Sequence, residues 1–357
     1  MAERVLMKGN EALAEAAIQA GCRHFFGYPI TPQTELAAYM AKKMPKVGGL
    51  FLQAESEVAA INMVYGAAGS GVRTMTSSSS PGISLKAEGI SYIAGADLPC
   101  VIVNIVRGGP GLGGIQPAQS DYFQATKGGG HGDYHMIVLA PSSVQEMVDL
   151  TSLAFDLGDI YRMPVMIMGD GMLGQMMEPI SFDSVSKREL PAKDWATTGT
   201  QMKRKRNIIN SLYITPEALE DLVLEREERY ETIRNNEALC EEFNTSDADI
   251  IIAAYGTTAR IAKNAMDTLR AEGIKAGLIR PITLWPFPAE IFEKTANTAK
   301  AFLSVEMSTG QMVEDVKLAV NGKKPVYFTG RTGGMVPTPA EIIAKVKEIA
   351  TSIGGAE

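Results

Sequence analysis

Short runs of apolar residues alternate along the first half of this chain with segments that have helical spacing. Residues 99–106, 137–139 and 164–168 are almost continuously apolar, as strands covered on both faces require. The segments between them begin and end at serine, threonine, proline and glycine, which favour helix boundaries. This alternation runs from about residue 8 to residue 182. It predicts an α/β fold with a parallel sheet between layers of helices.

The rest of the chain changes character twice. Residues 183–246 are densely charged, and the pair Thr215–Pro216 within them predicts the start of a helix. A second alternating unit follows. We therefore predict three parts, which are an α/β domain at residues 1–182, a charged helical connector at residues 183–246 and a second α/β domain at residues 247–357.

Side chains that can cap a first turn predict three further helix starts. Thr31 precedes Pro32, which suits an N-cap followed by a first-turn proline, and Ser80 precedes a proline in the same way. Thr338 and Glu341 have the spacing of a capping box, in which each side chain bonds the other residue's backbone N–H. We expect a helix to begin at each of these places.

The segment that begins at Glu57 is apolar on nearly every side when it is drawn as a helix. A helix of this kind is expected to be buried. The helix N-terminus favours an anion at Glu57 while the apolar surroundings oppose one, so this carboxylate is a candidate for proton transfer. The residues alone equally allow Glu55 and Glu57 to lie on a helix start that faces solvent.

The composition excludes several classes of function. The chain has 357 residues, of which 45% are hydrophobic, and a net charge of −7, which argues against a nucleic-acid-binding surface. No apolar run approaches the roughly 20 residues of a membrane-spanning helix, and the N-terminal residues lack the apolar region of a signal peptide. We therefore expect a cytoplasmic protein that binds neither nucleic acid nor membrane.

Two motifs that are associated with cofactors do not meet their own requirements. Cys22, Cys100 and Cys240 are too far apart to form a metal or iron–sulfur motif within this chain. Residues 109–114 fit the pattern G-x-G-x-x-G, but residues 115–117 end in proline where a dinucleotide-binding motif needs a helix. A Rossmann-type dehydrogenase is therefore only a remote alternative.

Three motifs in sequence order resemble the alpha subunit of 2-oxoacid:ferredoxin oxidoreductases. They are GYPITP at residues 27–32, the Glu-Ser-Glu helix start at residues 55–57 and NIVRGG at residues 104–109. Two later segments, YGTTA at residues 255–259 and RPITLWPFP at residues 280–288, are similar to the transketolase C-terminal-like domain of the same family. The resemblance implies two parallel-sheet domains like those of thiamine-diphosphate enzymes, namely a pyrimidine-binding domain and a transketolase C-terminal-like domain.

The resemblance also implies cofactors and partners. In this family thiamine diphosphate lies between two subunits, and the beta subunit supplies the pyrophosphate–Mg²⁺ site and a [4Fe-4S] cluster. A gamma subunit and a ferredoxin-like delta subunit complete the complex, which uses coenzyme A and ferredoxin. Asp170, in a Gly-Asp-Gly sequence, is similar to the start of the magnesium motif, but the asparagine expected downstream is missing. The pyrophosphate anchor is therefore not expected in this chain, which itself holds no metal.

Five residues match positions to which the family gives a role. Glu57 matches the glutamate that hydrogen-bonds ring nitrogen N1′ of thiamine diphosphate. Arg107 matches the arginine that binds the 2-oxoacid, and Thr31 matches a threonine that lies against the substrate. Ser79 and Ser80 belong to the serine-rich loop beside the cofactor. Without the resemblance, Arg107 would be interpreted as half of a surface ion pair, and Ser80 is as readily explained as a helix cap alone.

One loop bears on the choice of substrate. Leu112 and Ile115 add apolar side chains where 2-oxoglutarate enzymes of the family usually carry a Ser-Thr-Gly turn. With no added cation, these side chains predict a pocket for an apolar rather than a dicarboxylic substrate. The segment through Phe123 is similar to the members that act on branched-chain 2-oxoacids, with 3-methyl-2-oxobutanoate as the expected substrate. The alternatives are 2-oxoglutarate or another 2-oxoacid, and a docking subunit without activity of its own.

Overall fold

The computed structural model describes residues 4–183 and 188–354. The strands are β1 (Val5–Lys8), β2 (His24–Gly27), β3 (Leu50–Gln53), β4 (Thr74–Ser78), β5 (Cys100–Val106), β6 (Ile137–Leu139), β7 (Pro164–Asp170), β8 (Met177–Ile180), β9 (Cys240–Phe243), β10 (Ile250–Ala253), β11 (Ala276–Pro281), β12 (Thr283–Trp285), β13 (Ala301–Glu306) and β14 (Val326–Gly330).

The α-helices are α1 (Gly9–Gln19), α2 (Thr34–Lys43), α3 (Glu57–Gly69), α4 (Pro81–Gly95), α5 (Tyr122–Thr126), α6 (Val144–Tyr161), α7 (Gly171–Gln175), α8 (Pro216–Asn236), α9 (Gly256–Ala271), α10 (Ala289–Thr295), α11 (Met312–Val320) and α12 (Pro339–Gly354), and a 3₁₀ turn spans Met44–Val47.

Two main sheets confirm the predicted α/β class. The first has the strand order β12-β6-β7-β5-β4-β2-β3 and is parallel except for β12 at its edge. The second has the order β14-β13-β10-β11-β9 and is parallel except for β9. A small antiparallel pair joins β1 to β8. The central strands β5 and β7 are buried along their whole length, which explains their continuous apolar runs.

Two strands cross the boundaries that the sequence suggested. β9 lies inside the predicted connector but pairs with β11 of the second sheet, and β12 from the second half pairs with β6 of the first sheet. The helix predicted after Thr215 is α8. Its Arg226 and Arg229 donate to Asp97 in the loop after α4, which ties α8 to the first half of the chain. The three-part division at residues 182 and 246 stays a prediction.

Two details of the predicted helices are wrong. The helix expected after Thr31 begins only at Thr34, with Gln33 as its N-cap, because a turn closed by the Gln33 N–H and the Ile30 carbonyl comes first (3.2 Å). Helix α3 is not buried on every side, since Val58 and Met63 are exposed. The sheet and α4 cover only one face of α3, so its other apolar face is open.

The capping box that opens α12 is confirmed by the bonds between Thr338 and Glu341. Within the described part of the chain, no helix combines the length and the hydropathy that crossing a membrane requires.

Candidate active site

Glu57 lies in the first turn of α3, where the chain turns inward from the carboxyl edge of the first sheet. The Ser56 hydroxyl caps the helix by accepting the Ala59 N–H (3.2 Å). Only 6% of Glu57 is exposed, whereas Glu55 is exposed. The Glu57 carboxylate points toward the start of α4, because its Oε1 lies 2.7 Å from where a Cβ on Gly82 would stand. The glycine therefore makes room for the carboxylate.

Buried hydroxyl groups lie at the end of β4 and just after it, next to Glu57. The Ser77 hydroxyl donates to Gln33 Oε1 (2.6 Å). The Ser78 and Ser79 hydroxyls are buried and have no hydrogen-bond partner within the described residues. The Ser78 hydroxyl oxygen lies 2.0 Å from the position that a Cβ on Gly82 would occupy, and Glu57 lies beside the same position. A buried hydroxyl without a partner costs about 1–3 kcal/mol, so this place is suited to a ligand that supplies polar atoms.

Ser80 has a different role from that of a simple helix cap. It stands before α4, but its side chain makes no capping bond. Its hydroxyl instead accepts the Arg107 N–H (3.1 Å) and donates to the Arg107 carbonyl (3.2 Å), while its own N–H donates to Asn104 Oδ1 (3.1 Å). Ser80 therefore fixes the backbone of Arg107 at the end of β5.

Arg107 is buried, which excludes the alternative of a surface ion pair. Its guanidinium donates from Nη1 to the Thr31 carbonyl (2.9 Å) and from Nη2 to the Leu112 carbonyl (3.0 Å). Its Nε–H has no hydrogen-bond partner within residues 4–183 and 188–354. Both bonds that it makes go to neutral carbonyls, so the positive charge remains available to an anion.

The predicted residues therefore come together at one edge of the first sheet. β2, β4 and β5 are neighbours in that sheet, and their carboxyl ends lead to Thr31, to Ser79 and Ser80, and to Arg107. The start of α3 adds Glu57. Ligands of open parallel sheets bind outside the carboxyl ends of the strands, so this edge is the expected position for an active site.

Sequence reasoning missed two groups beside these residues. Lys86 on α4 is fully buried and donates to the Ser77 carbonyl (3.0 Å). The Asn104 amide, which binds Ser80, donates from Nδ2 to Asp121 (2.9 Å). Burial raises the pKa of the Asp121 carboxyl, although hydrogen bonds from Ser80 and Asn104 act against this change. The signal that could have identified both residues is a polar side chain, Lys86 or Asn104, inside an otherwise largely apolar segment.

Asp170 has a structural role in this chain. Its Oδ1 accepts the N–H groups of Met172 and Leu173 at the start of α7, and its Oδ2 accepts the Thr257 hydroxyl of the second half of the chain (2.5 Å). Burial raises the pKa of Asp170. Across the described ranges, no three histidine, cysteine or acidic residues are grouped as a metal site requires.

The glycine-rich loop after Arg107 is a closed turn rather than a nucleotide-binding motif. The Gly114 N–H donates to the Gly108 carbonyl (2.8 Å), and Arg107 bridges to Pro117, so no helix begins at the glycines. The dehydrogenase interpretation is therefore wrong. Leu112 is 83% exposed and Ile115 is 55% exposed. The predicted apolar pocket is not closed by this chain.

Comparison with known proteins finds matches over most of the chain. The family described as pyruvate flavodoxin/ferredoxin oxidoreductase, thiamine diphosphate-binding, matches residues 15–242, and pyruvate:ferredoxin oxidoreductase core domain II matches residues 248–342. Ketoisovalerate oxidoreductase subunit VorB of Methanothermobacter marburgensis is 50% identical over 97% of this chain and 97% of its own length. 2-Oxoglutarate synthase subunit KorA of the same organism is 37% identical over 97% of this chain and 99% of its own length.

A solved structure has the same fold. The 2-oxoglutarate:ferredoxin oxidoreductase from Magnetococcus marinus, with 2-oxoglutarate, coenzyme A and succinyl-CoA bound, matches with a TM-score of 0.84 at 29% identity. The match covers 97% of this chain and 65% of that one, so this chain spans about two thirds of the solved chain. The predicted fold class is confirmed by this match together with the two family matches.

Proposed function

This chain belongs to the 2-oxoacid:ferredoxin oxidoreductase family, and we propose that it is the alpha subunit of a complex that oxidatively decarboxylates 3-methyl-2-oxobutanoate. The products are the acyl-CoA, carbon dioxide and reduced ferredoxin. The observation that carries the reaction type is the buried Glu57 carboxylate beside two serine hydroxyls that have no hydrogen-bond partner among the described residues. The higher identity to the ketoisovalerate enzyme subunit than to the 2-oxoglutarate synthase subunit supports the choice of substrate.

The residues fit the aminopyrimidine ring of thiamine diphosphate. When bound, this cofactor supplies the nucleophilic carbon that attacks the 2-oxo group and accepts the electron pair released with carbon dioxide. Glu57 would exchange a proton with ring nitrogen N1′, and the Ser78 and Ser79 hydroxyls would hydrogen-bond polar atoms of the ring. These buried side chains exclude water, which strengthens each of their hydrogen bonds to the ring.

Arg107 and Thr31 would position the 2-oxoacid. Two carbonyls hold the guanidinium in place, so its buried Nε–H and its charge are oriented before the substrate arrives. A preorganised guanidinium suits the planar carboxylate of a 2-oxoacid. The exposed Thr31 is held beside it through its carbonyl.

The site is open where another subunit would complete it. Val58, Met63 and Leu85 on α3 and α4 are exposed, and so are Leu112 and Ile115 in the loop after Arg107. Both oxygens of Asp170 are occupied within this chain. We therefore assign the pyrophosphate–Mg²⁺ site and a [4Fe-4S] cluster to a beta subunit, with gamma and delta subunits completing a cytoplasmic complex.

The substitution Glu57→Gln in the reconstituted complex tests this proposal. We expect decarboxylation to fall by at least two orders of magnitude while assembly is unchanged, because glutamine keeps the shape of the side chain but cannot take up the N1′ proton. The matched control is Glu55→Gln, two residues earlier, where the exposed carboxylate is bonded by Ser56. The control should keep full activity.

A substrate panel with a low-potential electron acceptor completes the test. We expect the highest kcat/KM with 3-methyl-2-oxobutanoate, and no turnover by this chain without its partners. Preference for 2-oxoglutarate would overturn the choice of substrate. Full activity of the Glu57→Gln complex would instead favour a docking subunit without a catalytic role.

A further inference from the structure

The Asn104 side chain stands in the middle of a chain of hydrogen bonds that ends at Arg107. Asn104 is fully buried on β5, where it lies opposite Ser78 of β4. Its Oδ1 accepts the Ser80 N–H (3.1 Å), and its Nδ2 donates to Asp121 Oδ2 (2.9 Å). The Ser80 hydroxyl in turn bonds both the N–H and the carbonyl of Arg107. Three consecutive links therefore join the Asp121 carboxylate to the backbone of Arg107.

The two partners of Asn104 require the same orientation of its amide. An asparagine amide keeps nearly the same shape when its oxygen and nitrogen are exchanged, so the hydrogen-bond partners decide which atom lies where. The Ser80 N–H can only donate, and it needs the amide oxygen. An ionised carboxylate can only accept, so Asp121 needs the NH₂ group. Asp121 thus keeps the amide oxygen of Asn104 turned toward Ser80.

The Asp121 side chain has no second role as a helix cap. Asp121 occupies the N-cap position of α5, but its side chain makes no capping hydrogen bond. The bond that opens the helix joins the Ala125 N–H to the Asp121 carbonyl (3.0 Å), which belongs to the backbone. A substitution of the Asp121 side chain therefore leaves the start of α5 intact.

The second half of the chain holds the segment that carries Asp121. Gln311, which precedes α11, donates from Nε2 to the Ser120 carbonyl (2.8 Å) and accepts the Phe123 N–H at Oε1 (2.8 Å). These two bonds lie on either side of Asp121 and restrain its backbone. The carboxylate is therefore offered to Asn104 from a fixed position.

We propose that Asp121 is a positioning residue for Arg107, acting through the chain of hydrogen bonds between them. This inference rests on the proposed function of Arg107 as the group that binds the carboxylate of the 2-oxoacid. Arg107 is the first residue after β5, and the loop beyond it is exposed at Leu112. A displacement of about 1 Å at a binding group can lower the reaction rate by about 100-fold. The links through Asn104 and Ser80 restrain the Arg107 backbone against such a displacement.

Asp121→Leu and Asp121→Asn, measured in the assembled complex, test this role. Leucine offers no acceptor, so we expect the buried Asn104 NH₂ group to turn toward another acceptor and its oxygen to leave the Ser80 N–H. The KM for the preferred 2-oxoacid should rise by about tenfold while kcat changes by less than about threefold, because substrate binding rather than chemistry is weakened. Asparagine keeps an acceptor oxygen for Asn104, so Asp121→Asn should retain a KM within about twofold of the wild type. Thiamine diphosphate binding, measured by calorimetry, should be unchanged in both variants.

Arg107→Met provides the reference background. If Asp121 acts through Arg107, adding Asp121→Leu to Arg107→Met raises the KM no further. A further rise in the double variant, a wild-type KM in Asp121→Leu alone, or an equal rise in Asp121→Asn would overturn the inference and leave the proposed function intact. A wild-type KM in Arg107→Met alone would instead overturn the proposed role of Arg107.

Asp121→Ser carries the test if the leucine variant fails to assemble. Its hydroxyl ends one bond short of the carboxylate oxygen and so does not reach the Asn104 amide. We expect its KM to rise in the same direction, again with little change in kcat. A serine variant that assembles and keeps the wild-type KM would overturn the inference.

Discussion

The buried amine of Lys86 links the stability of this chain to pH. Its pKa lies at about 7 in the folded chain, against an ordinary value of 10.5, because burial disfavours the charged form. Between these values the unfolded chain binds more protons than the folded chain, so the free energy of unfolding rises with pH. The slope for one proton is about 1.4 kcal/mol per pH unit. The contribution of Lys86 to stability is therefore most favourable above the unfolded-state pKa of 10.5 and is lost as the pH falls toward 7.

Lys86→Met should remove this dependence. We expect the variant to gain stability relative to the wild-type chain at pH 7, and the difference to shrink steadily as the pH is raised to 9.5. Urea unfolding of the full chain at several pH values measures it. Lys205→Met, at an exposed position in the connector, is the control and should follow the wild type. Parallel curves for Lys86→Met and wild type would contradict the linkage.

The individual site residues differ in how well their sequence context specifies them. The helix start at Glu57 is a local property, since the capping Ser56 and the apolar turn after it are both visible along the chain, but these residues alone equally allowed Glu57 to face solvent. The bonds of Ser80 to Arg107 depend instead on β4 lying beside β5, which is a long-range pairing. The N-cap predicted at Thr31 failed because the chain makes a turn before the helix begins.

Gly89 allows the close contact between helices α3 and α4 at Ile61. A Cβ on Gly89 would stand 2.4 Å from Ile61 Cγ2, so Gly89→Ala overpacks the contact. We expect a loss of about 1–3 kcal/mol in the free energy of unfolding, less the gain in helix propensity of up to 1 kcal/mol. Gly66→Ala on α3 is the matched control, because its Cβ would meet nothing within 4 Å.

Gly66→Ala should stabilise the chain by about 0.5–1 kcal/mol through helix propensity alone. Denaturant unfolding of both variants measures the contrast. A loss of stability at Gly66 equal to that at Gly89 would show that glycine matters at both places for a reason other than the packing of α3 on α4.

The element order could be predicted because each strand and helix has its own apolar period and its own boundary residues. The exposure of α3 could not be predicted. The sequence of α3 shows that both of its faces are apolar. It does not show that, among the described residues, only one of these faces is covered. An apolar pattern reports burial in the complete assembly, so it overstates burial in one subunit of a complex. Under the proposed function, a partner subunit also covers Leu112 and Ile115, which were expected to line a pocket and are exposed in this chain.

The two halves of the molecule are held together by buried polar contacts around Gln119. Its Oε1 accepts the Thr258 hydroxyl (2.6 Å) and the Met307 N–H (2.9 Å), and its Nε2 donates to the Tyr255 carbonyl (2.9 Å). All these groups are buried. The segment that carries Gln119 follows the loop after Arg107, so this junction also anchors one wall of the proposed active site.

Gln119→Leu should therefore loosen the junction and the active-site loop together. Leucine has a similar volume but leaves the Thr258 hydroxyl and the Met307 N–H buried without their acceptor, at about 1–3 kcal/mol each, whereas the Tyr255 carbonyl still accepts the Ala259 N–H. We expect a loss of several kcal/mol in the free energy of unfolding and faster hydrogen exchange at the Met307 amide. Gln124→Leu is the control, because the Gln124 amide donates to the exposed Ser84 hydroxyl rather than to the buried junction, and it should change the free energy of unfolding and the Met307 exchange rate by little. Exchange at Met307 that stays as slow as in the wild-type chain would contradict the role of Gln119, because its amide oxygen would then not be what protects that N–H.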